Sequence, residues 1–239
     1  MAFVAKSDAV SAVSVATVQI TVPSHSAGDT LIAFVGGFDD GVGPTAPVPP
    51  NNLSGVCSWV LLEGISNGTI GGGLWCFVRT ANDSEPTTYI WTWASATRMV
   101  GTMLSYSNPL NATYHADKVT TGNSTTQPTT TTITAHAHTF PQATFVYGYL
   151  AQSSGNNFAE LTITPDAATT TRGSNVVEDS NVGVLNVADE DIAGGSSEPQ
   201  RVWSDAWTEH GGGHRSVLIR VVLAAPAAAT AADSWAWVG

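Results

Sequence analysis

The sequence predicts an all-β protein, an antiparallel β-sandwich that is jelly-roll-like and built from two pseudo-repeated halves. Three observations support this fold class. Apolar and polar residues alternate with a period of two in many short runs, such as 17–22, where Val18, Ile20 and Val22 alternate with threonine and glutamine. Glycine, proline, asparagine and serine interrupt the runs at short intervals. No segment shows the sustained 3.6-residue period of an amphipathic helix.

Individual strands can be placed from this alternation. The apolar run 30–35 opens an early strand directly after Gly28-Asp29. Aromatic residues share one strand face in 89–93 and again in 145–149. A late strand has an inner face made of four aliphatic residues, namely Val217, Ile219, Val221 and Leu223. We count about a dozen strands, which is typical of a sandwich or a jelly roll.

The two halves are predicted from internal similarity. Three pairs of features recur at separations of 113, 112 and 114 residues, namely Ser-Glu-Pro at 84–86 and 197–199, Trp91 and Trp203, and Thr30 and Thr144. Each Ser-Glu-Pro triplet precedes a tryptophan-containing strand, an arginine and an apolar strand. We therefore expect related halves at about 1–112 and 113–226, which form either one pseudo-symmetric sandwich or two small ones.

Residues 227–239 are predicted to be a separate C-terminal tail. An alanine-rich tract leads to Trp235-Ala236-Trp237, whose two indole rings would share one face of a short terminal strand. Edge pairing allows such a strand to dock on its own sandwich or on a neighbouring subunit. Trp235 and Trp237 are therefore predicted subunit contacts.

Composition excludes several partners. The 239 residues carry a net charge of −11, and only 11% of them are charged, against about 25% in ordinary domains. Lysine and arginine are scattered, so the chain lacks the basic patch that nucleic acid or an anionic membrane surface requires. No run of 18 apolar residues predicts a membrane span, and the N-terminal residues do not resemble a signal peptide.

No cofactor, metal site or catalytic residue is predicted. His136 and His138 share a strand face but lack further ligands at a recognisable spacing. The acidic groups 39–40 and 189–191 are expected to be solvated loops without calcium-loop spacing. Nucleophile elbows, zinc-protease helices and phosphate loops are absent. A polysaccharide depolymerase would need paired carboxylates across a cleft, and nothing selects a pair such as Asp189 with Asp205.

Two groups of side chains leave alternatives open. Cys57 and Cys76 flank a predicted hairpin whose register permits a disulfide, while two buried free thiols are the other alternative. Tyr89, Trp203 and Trp207 are candidate contacts to a glycan or a partner, because aromatic rings stack on sugars, but strand aromatics also build cores.

Three motifs in the first half resemble those of a group of phage and prophage β-sandwich proteins. These are Gly28-Asp29-Thr30-Leu31, then Trp59-Val60-Leu61 with Ser58 where the group has glycine, and finally Arg79-Thr80-Ala81 followed by Glu85-Pro86 and Tyr89-Ile90-Trp91. The similarity covers about 1–110 well and the second half more loosely.

The resemblance implies a non-enzymatic virion structural protein on the particle exterior, either a capsid decoration or auxiliary protein or a minor tail component. It implies assembly in the host cytoplasm, other virion proteins as partners, and a homo-oligomer. An alternative is a carbohydrate-binding adhesin module that recognises host surface glycan. Fold similarity alone does not decide between these functions.

Overall fold

The computed structural model describes residues 2–11, 15–38, 45–50, 59–67, 72–107, 113–120, 129–135, 142–154, 161–178, 181–193, 200–207 and 214–224. Within these residues the backbone forms fourteen strands and no helix, which confirms the predicted all-β class. The strands are β1 (Ala2–Val10), β2 (Val15–Thr21), β3 (Thr30–Phe38), β4 (Val60–Asn67), β5 (Gly72–Thr80), β6 (Thr88–Ser107), β7 (Thr113–Thr120), β8 (Thr129–Ile133), β9 (Gln142–Ser154), β10 (Leu161–Thr164), β11 (Thr170–Glu178), β12 (Asn181–Ala193), β13 (Arg201–Trp207) and β14 (His214–Ala224).

All strand pairs described are antiparallel, and they form three sheets. The first central sheet has the order β1-β6-β3-β5-β4, and the second central sheet has the order β11-β12-β9-β14-β7. Strands β10, β13 and β8 form a smaller sheet, called the second cover. The first cover is β2 together with residues 88–97 of β6, with which β2 pairs.

Three apolar clusters stack these sheets into four layers. Side chains from both central sheets, such as Phe34 and Ile219, meet in the middle cluster. Trp91 of the first cover belongs to a cluster shared with the first central sheet. Trp203 of the second cover belongs to a cluster shared with the second central sheet. The layers therefore run from first cover to first central sheet, second central sheet and second cover.

Burial on both faces explains the apolar run that opens the early strand. All nine residues of β3 are buried. Ile32 and Phe34 face the middle cluster, whereas Leu31 and Val35 face the first cover. A strand covered on both faces needs apolar residues at consecutive positions rather than at every second one. The edge strand β1, in contrast, alternates between exposed and half-buried residues.

The turn before β3 shows why a Gly-Asp pair stands there. Gly28 has a φ of +90°, a left-handed conformation that favours glycine. The Asp29 carboxylate accepts a hydrogen bond of 2.7 Å from the backbone N–H of Ser26 and so closes the turn. The Ala81 N–H donates to the Asp29 carbonyl at 2.7 Å and the Gly28 N–H donates to the Ala81 carbonyl at 2.9 Å, which joins the turn to the residue after β5.

Both central sheets have the same strand order when the halves are aligned. Strands β1, β6, β3, β5 and β4 correspond in sequence to β7, β14, β9, β12 and β11, and each set lies in that order across its sheet. The register also agrees, since Phe34 pairs with Thr102 in one half and Gly148 pairs with Ile219 in the other. This order fits the predicted related halves, while an origin by duplication, the jelly-roll description and the limit at 226 stay predictions.

Corresponding positions also touch each other across the middle cluster. A Cβ atom placed on Gly148 would lie 2.2 Å from Cδ1 of Phe34, the residue that corresponds to Gly148 in the first half. Leu150 of the second half packs in turn against Gly36 of the first half, because a Cβ atom added to Gly36 would lie 3.0 Å from Cδ1 of Leu150. At both contacts a large side chain of one strand lies against a glycine of the other strand, which lets β3 and β9 pack closely.

In a second pair of contacts, a large side chain of each half again lies against a glycine of the other half. Phe38 lies against Gly183, where an added Cβ atom would be 2.1 Å from its ring. Gln152, which corresponds to Phe38, lies 2.0 Å from an added Cβ atom on Gly72, which corresponds to Gly183. Contacts between positions that correspond in the sequence alignment of the halves thus run in both directions across the middle cluster.

We predict strong coupling between Phe34 and Gly148. Gly148→Ala should lower the free energy of unfolding by about 1–3 kcal/mol, because the new methyl overlaps the Phe34 ring. Phe34→Ala should cost about 3–5 kcal/mol, since this ring is fully buried. The double variant should lose less than the sum, with a coupling of about 0.5–3 kcal/mol in a denaturant-unfolding cycle.

Gly37→Ala is the matched control for this cycle. An added Cβ atom at Gly37 would lie 3.3 Å from its nearest neighbour, in Trp93, so this variant should be far milder. Strictly additive losses for Gly148 and Phe34 would contradict the proposed contact.

Candidate functional site

Tyr89, a predicted glycan or partner contact, lies in the core of the first half. Its side chain is 3% exposed and contacts Arg79 of β5 and Glu85 through its hydroxyl group. Arg79 and Glu85 form an ion pair of 2.9 Å, with side chains 0% and 1% exposed. The Arg79 guanidinium also lies over the Trp59 ring at 5.7 Å. We call these four residues the Arg79 cluster.

The Arg79 cluster accounts for the motif residues in chemical terms. Arginine, glutamate and tyrosine from the third motif and tryptophan from the second form one buried contact set. Burial and the hydrogen bond to Glu85 raise the pKa of Tyr89 well above its usual value, so this hydroxyl stays protonated. These side chains hold the first cover on its central sheet, and they do not form an open site.

Trp203 is likewise a core residue. Its indole is fully buried and stacks on the Tyr149 ring, with centroids 5.4 Å apart and planes at 26°. The Tyr147 ring also lies near the indole, with centroids 6.2 Å apart. A sugar could reach Tyr89 or Trp203 only if these rings left the core. Both are therefore core residues rather than exposed contacts. Trp207 pairs with Leu161 in the second cover, and its side chain is not among those described.

Of the two cysteines, Cys76 lies in the hairpin formed by β4 and β5. β4 and β5 pair so that Glu63 lies opposite Cys76, with a bulge after Leu61. β4 runs to Asn67, so the turn of this hairpin follows the Ser66-Asn67 pair. Cys76 is a free thiol, fully buried, and burial raises its pKa. Cys57, Trp235 and Trp237 lie outside the described residues, as do His136, His138 and the acidic pair at 39–40.

The acidic group 189–191 was expected to be a loop, and this was wrong. All three residues lie in β12, where each carboxylate has a partner. Asp189 binds Arg172 at 2.8 Å and accepts a hydrogen bond of 2.9 Å from the Tyr106 hydroxyl across the middle cluster. Asp191 accepts a bond of 2.6 Å from the Thr144 hydroxyl. The strand is stable because these partners come from three other strands.

The middle carboxylate of this group connects the second cover to its central sheet. Glu190 receives two hydrogen bonds, of 2.5 and 2.9 Å, from the guanidinium of Arg201 on β13. The Tyr147 hydroxyl donates a further bond of 2.5 Å to the same carboxylate. Asp166 accepts a bond of 3.0 Å from the backbone N–H of Val202. One end of the second cover is therefore held by charged contacts.

A second polar group, which the sequence did not reveal, lies further along β13. Asp205 is 1% exposed, and its carboxylate accepts a hydrogen bond from the Tyr149 hydroxyl of β9. The hydroxyl of Thr131 on β8 lies 2.8 Å from that of Ser216 on β14 and 3.3 Å from that of Tyr149. Burial raises the pKa of Asp205 to about 7, although hydrogen bonds from Tyr149 and Ser216 oppose the shift. These four residues are the Asp205 cluster.

The first half carries apolar residues where the second half carries the Asp205 cluster. The positions that correspond to Thr131, Tyr149, Asp205 and Ser216 are Val18, Val35, Trp93 and Met99, and all four belong to the first cover's apolar cluster. An alignment of the halves, position by position, would have revealed this contrast. Asp189 and Asp205 lie on opposite faces of the second central sheet, so they do not form a carboxylate pair across a cleft.

The outward faces of both covers form the broadest candidate contact surfaces. On the first outer face, β2 and β6 expose Thr17, Gln19, Thr21, Ile90 and Thr92. On the second outer face, β8, β10 and β13 expose Thr130, Thr162, Thr164, Val202 and Ala206, with Ser204 half-buried among them. Ile90 and Val202 are corresponding residues, 45% and 39% exposed. None of these residues is charged, although the chain carries a net charge of −11.

Across the described part of the chain, no three His, Cys, Asp or Glu side chains are grouped to hold a metal ion. None of the described segments is a helix long and apolar enough to cross a membrane. Comparisons with protein-family models, curated proteins and solved structures found no match. The resemblance to phage β-sandwich proteins therefore stays a prediction.

We predict that Trp203→Ala acts on stability rather than on a surface contact. The indole is fully buried, so its removal should lower the free energy of unfolding by about 3–5 kcal/mol in denaturant titrations. Trp203→Phe should cost less, because the buried indole N–H has no partner among the described residues and the stacking on Tyr149 is kept. A stable Trp203→Ala variant that lost only glycan binding would contradict the core placement.

Proposed function

We propose that this chain is a non-enzymatic structural protein on the exterior of a bacteriophage particle, as a capsid decoration or auxiliary protein or a minor tail component. The observation that carries the proposal is the pair of uncharged outer faces on opposite sides of a four-layered stack. Other virion proteins and further copies of the chain are its partners.

Uncharged faces suit permanent attachment. Burying an ion at an interface requires its desolvation, whereas hydroxyl and β-branched side chains keep that cost small. Interface cores are depleted in charged residues for the same reason. In a chain with a net charge of −11, these faces also allow a neighbour to approach without meeting carboxylates.

The buried motif residues support the same proposal indirectly. The motifs that carry the phage resemblance build the Arg79 cluster and the turn at Gly28-Asp29, so they specify the fold. The contacts that recognise other virion proteins would therefore come from side chains outside the motifs, such as those of the outer faces. The tail contacts predicted for Trp235 and Trp237 remain part of the proposal, outside the described residues.

The first test asks whether purified particles contain the chain. Mass spectrometry should detect it in particles purified from infected host cells, and electron microscopy should place it on the exterior. Absence from particles, or turnover of host polysaccharide by the purified protein, would overturn the proposal.

The second test concerns the outer faces. Ile90→Lys and Val202→Lys each place a charge on one outer face, and each should reduce the copies per particle at least about tenfold, which corresponds to about 1.4 kcal/mol. Val176→Lys on β11 is the matched control, because Val176 is 43% exposed but lies on neither outer face. Unchanged copy numbers for both face variants would remove the outer faces as attachment surfaces.

A further inference from the structure

The two covers differ in how they are connected to their central sheets. In the first half, β6 is one strand of 20 residues whose first part pairs in the cover and whose last part pairs in the central sheet. In the second half, β13 pairs in the cover and β14 pairs in the central sheet. Among the described residues, β13 ends at Trp207 and β14 begins at His214, and side-chain contacts join the second cover to its central sheet.

The Asp205 cluster supplies such contacts from both layers. Asp205 and Thr131 belong to the second cover, while Tyr149 and Ser216 belong to the second central sheet. The hydroxyl–carboxylate and hydroxyl–hydroxyl bonds among them cross the interface between the layers. In the first half, the corresponding interface is made by apolar side chains that carry no ionisable group except the distant Arg79 cluster.

We propose that the Asp205 cluster is a proton-dependent latch, which holds the second cover on its central sheet when the Asp205 carboxyl is protonated and releases it when the carboxylate forms. The protonated carboxyl is neutral and can remain in the apolar interface at little cost. The carboxylate gains free energy by returning to water, and it can do so only if β13 moves away from β9 and β14.

The direction of the pH dependence follows from the pKa of Asp205. Burial raises this pKa to about 7 in the folded chain, against 3.8 for the exposed group. Between these values the closed state holds a proton that the open state has lost, so closure weakens as the pH rises from about 4 to about 7. The limiting slope is about tenfold in the opening equilibrium for each pH unit.

Among the described side chains, the other ionisable groups near the second cover include Tyr149, Tyr147, Glu190, Arg201 and Arg220, while those of His214 on β14 and of His115 and Asp117 on β7 are not described. Tyr149 faces it directly and stays protonated, because burial and the Asp205 carboxylate raise its pKa. Glu190 of β12, Arg220 of β14 and Arg201 of β13 act on Tyr147, a neighbour of Trp203. The strands β8 and β10 contribute no ionisable side chain. Within the described side chains, Asp205 is therefore the group that titrates at this interface.

Hydrogen exchange of the full chain tests the latch. Backbone amides of 201–207 should lose protection as the pH rises from 5 to 7, by up to about 100-fold after correction for intrinsic exchange. Amides of 91–93 in the first cover, where Trp91 and Trp93 lie in the apolar cluster, are the internal control and should keep their protection. Asp205→Asn, which cannot ionise, should remove the pH dependence at 201–207.

A second variant keeps the test decisive if Asp205→Asn does not fold. Ser216→Ala removes a hydrogen bond that lowers the folded-state pKa of Asp205, so the upper end of the pH range over which protection is lost should move to higher pH. Equal losses in both covers, no loss at 201–207, or an unshifted transition in Ser216→Ala would each overturn the latch.

Discussion

The close approach of the two central sheets is the constraint on which the rest of the structure depends. Phe34 can lie against β9 only because Gly148 stands opposite, and Leu150 against β3 only because Gly36 does. This exchange of large and small residues lets both sheets be buried on their inner faces, while the covers bury their outer faces. Two-sided burial in turn requires consecutive apolar residues in β3.

Buried charge is retained where partners from several strands converge. The Arg79 cluster places an ion pair inside the first half, with a tyrosine hydroxyl and an aromatic face around it. Removing one member of such a pair leaves an unpaired buried charge, which typically costs about 3–5 kcal/mol. The cluster therefore fixes how the first cover sits, and this explains why arginine, glutamate and tyrosine recur in a motif without forming an exposed site.

The period of two predicted most strand faces, because the face of a strand residue depends only on its parity. Tyr89, Trp91 and Trp93 do share one face, and so do Val217 to Leu223 at alternate positions. The sequence could not show that the strands at 89–93 and 98–107 are one, since β6 changes layers without a turn. It also misplaced 189–191 in a loop, because the partners that stabilise those carboxylates, Arg172, Arg201 and Thr144, are distant in sequence. The Asp205 cluster was missed for the same reason.

The difference between the halves concerns how each cover is held. Where one strand runs through cover and central sheet, as β6 does, displacing the cover would break backbone pairing of that strand, and apolar packing together with the Arg79 cluster seats it. In the second half, the interface instead contains the Asp205 carboxyl group, which accepts hydrogen bonds from the Tyr149 and Ser216 hydroxyls, and under the proposed latch the closure of this cover depends on a proton. Two halves with the same strand order thus hold their covers by different contacts. The first would provide a fixed face, and the second a face whose attachment responds to the acidity of its surroundings.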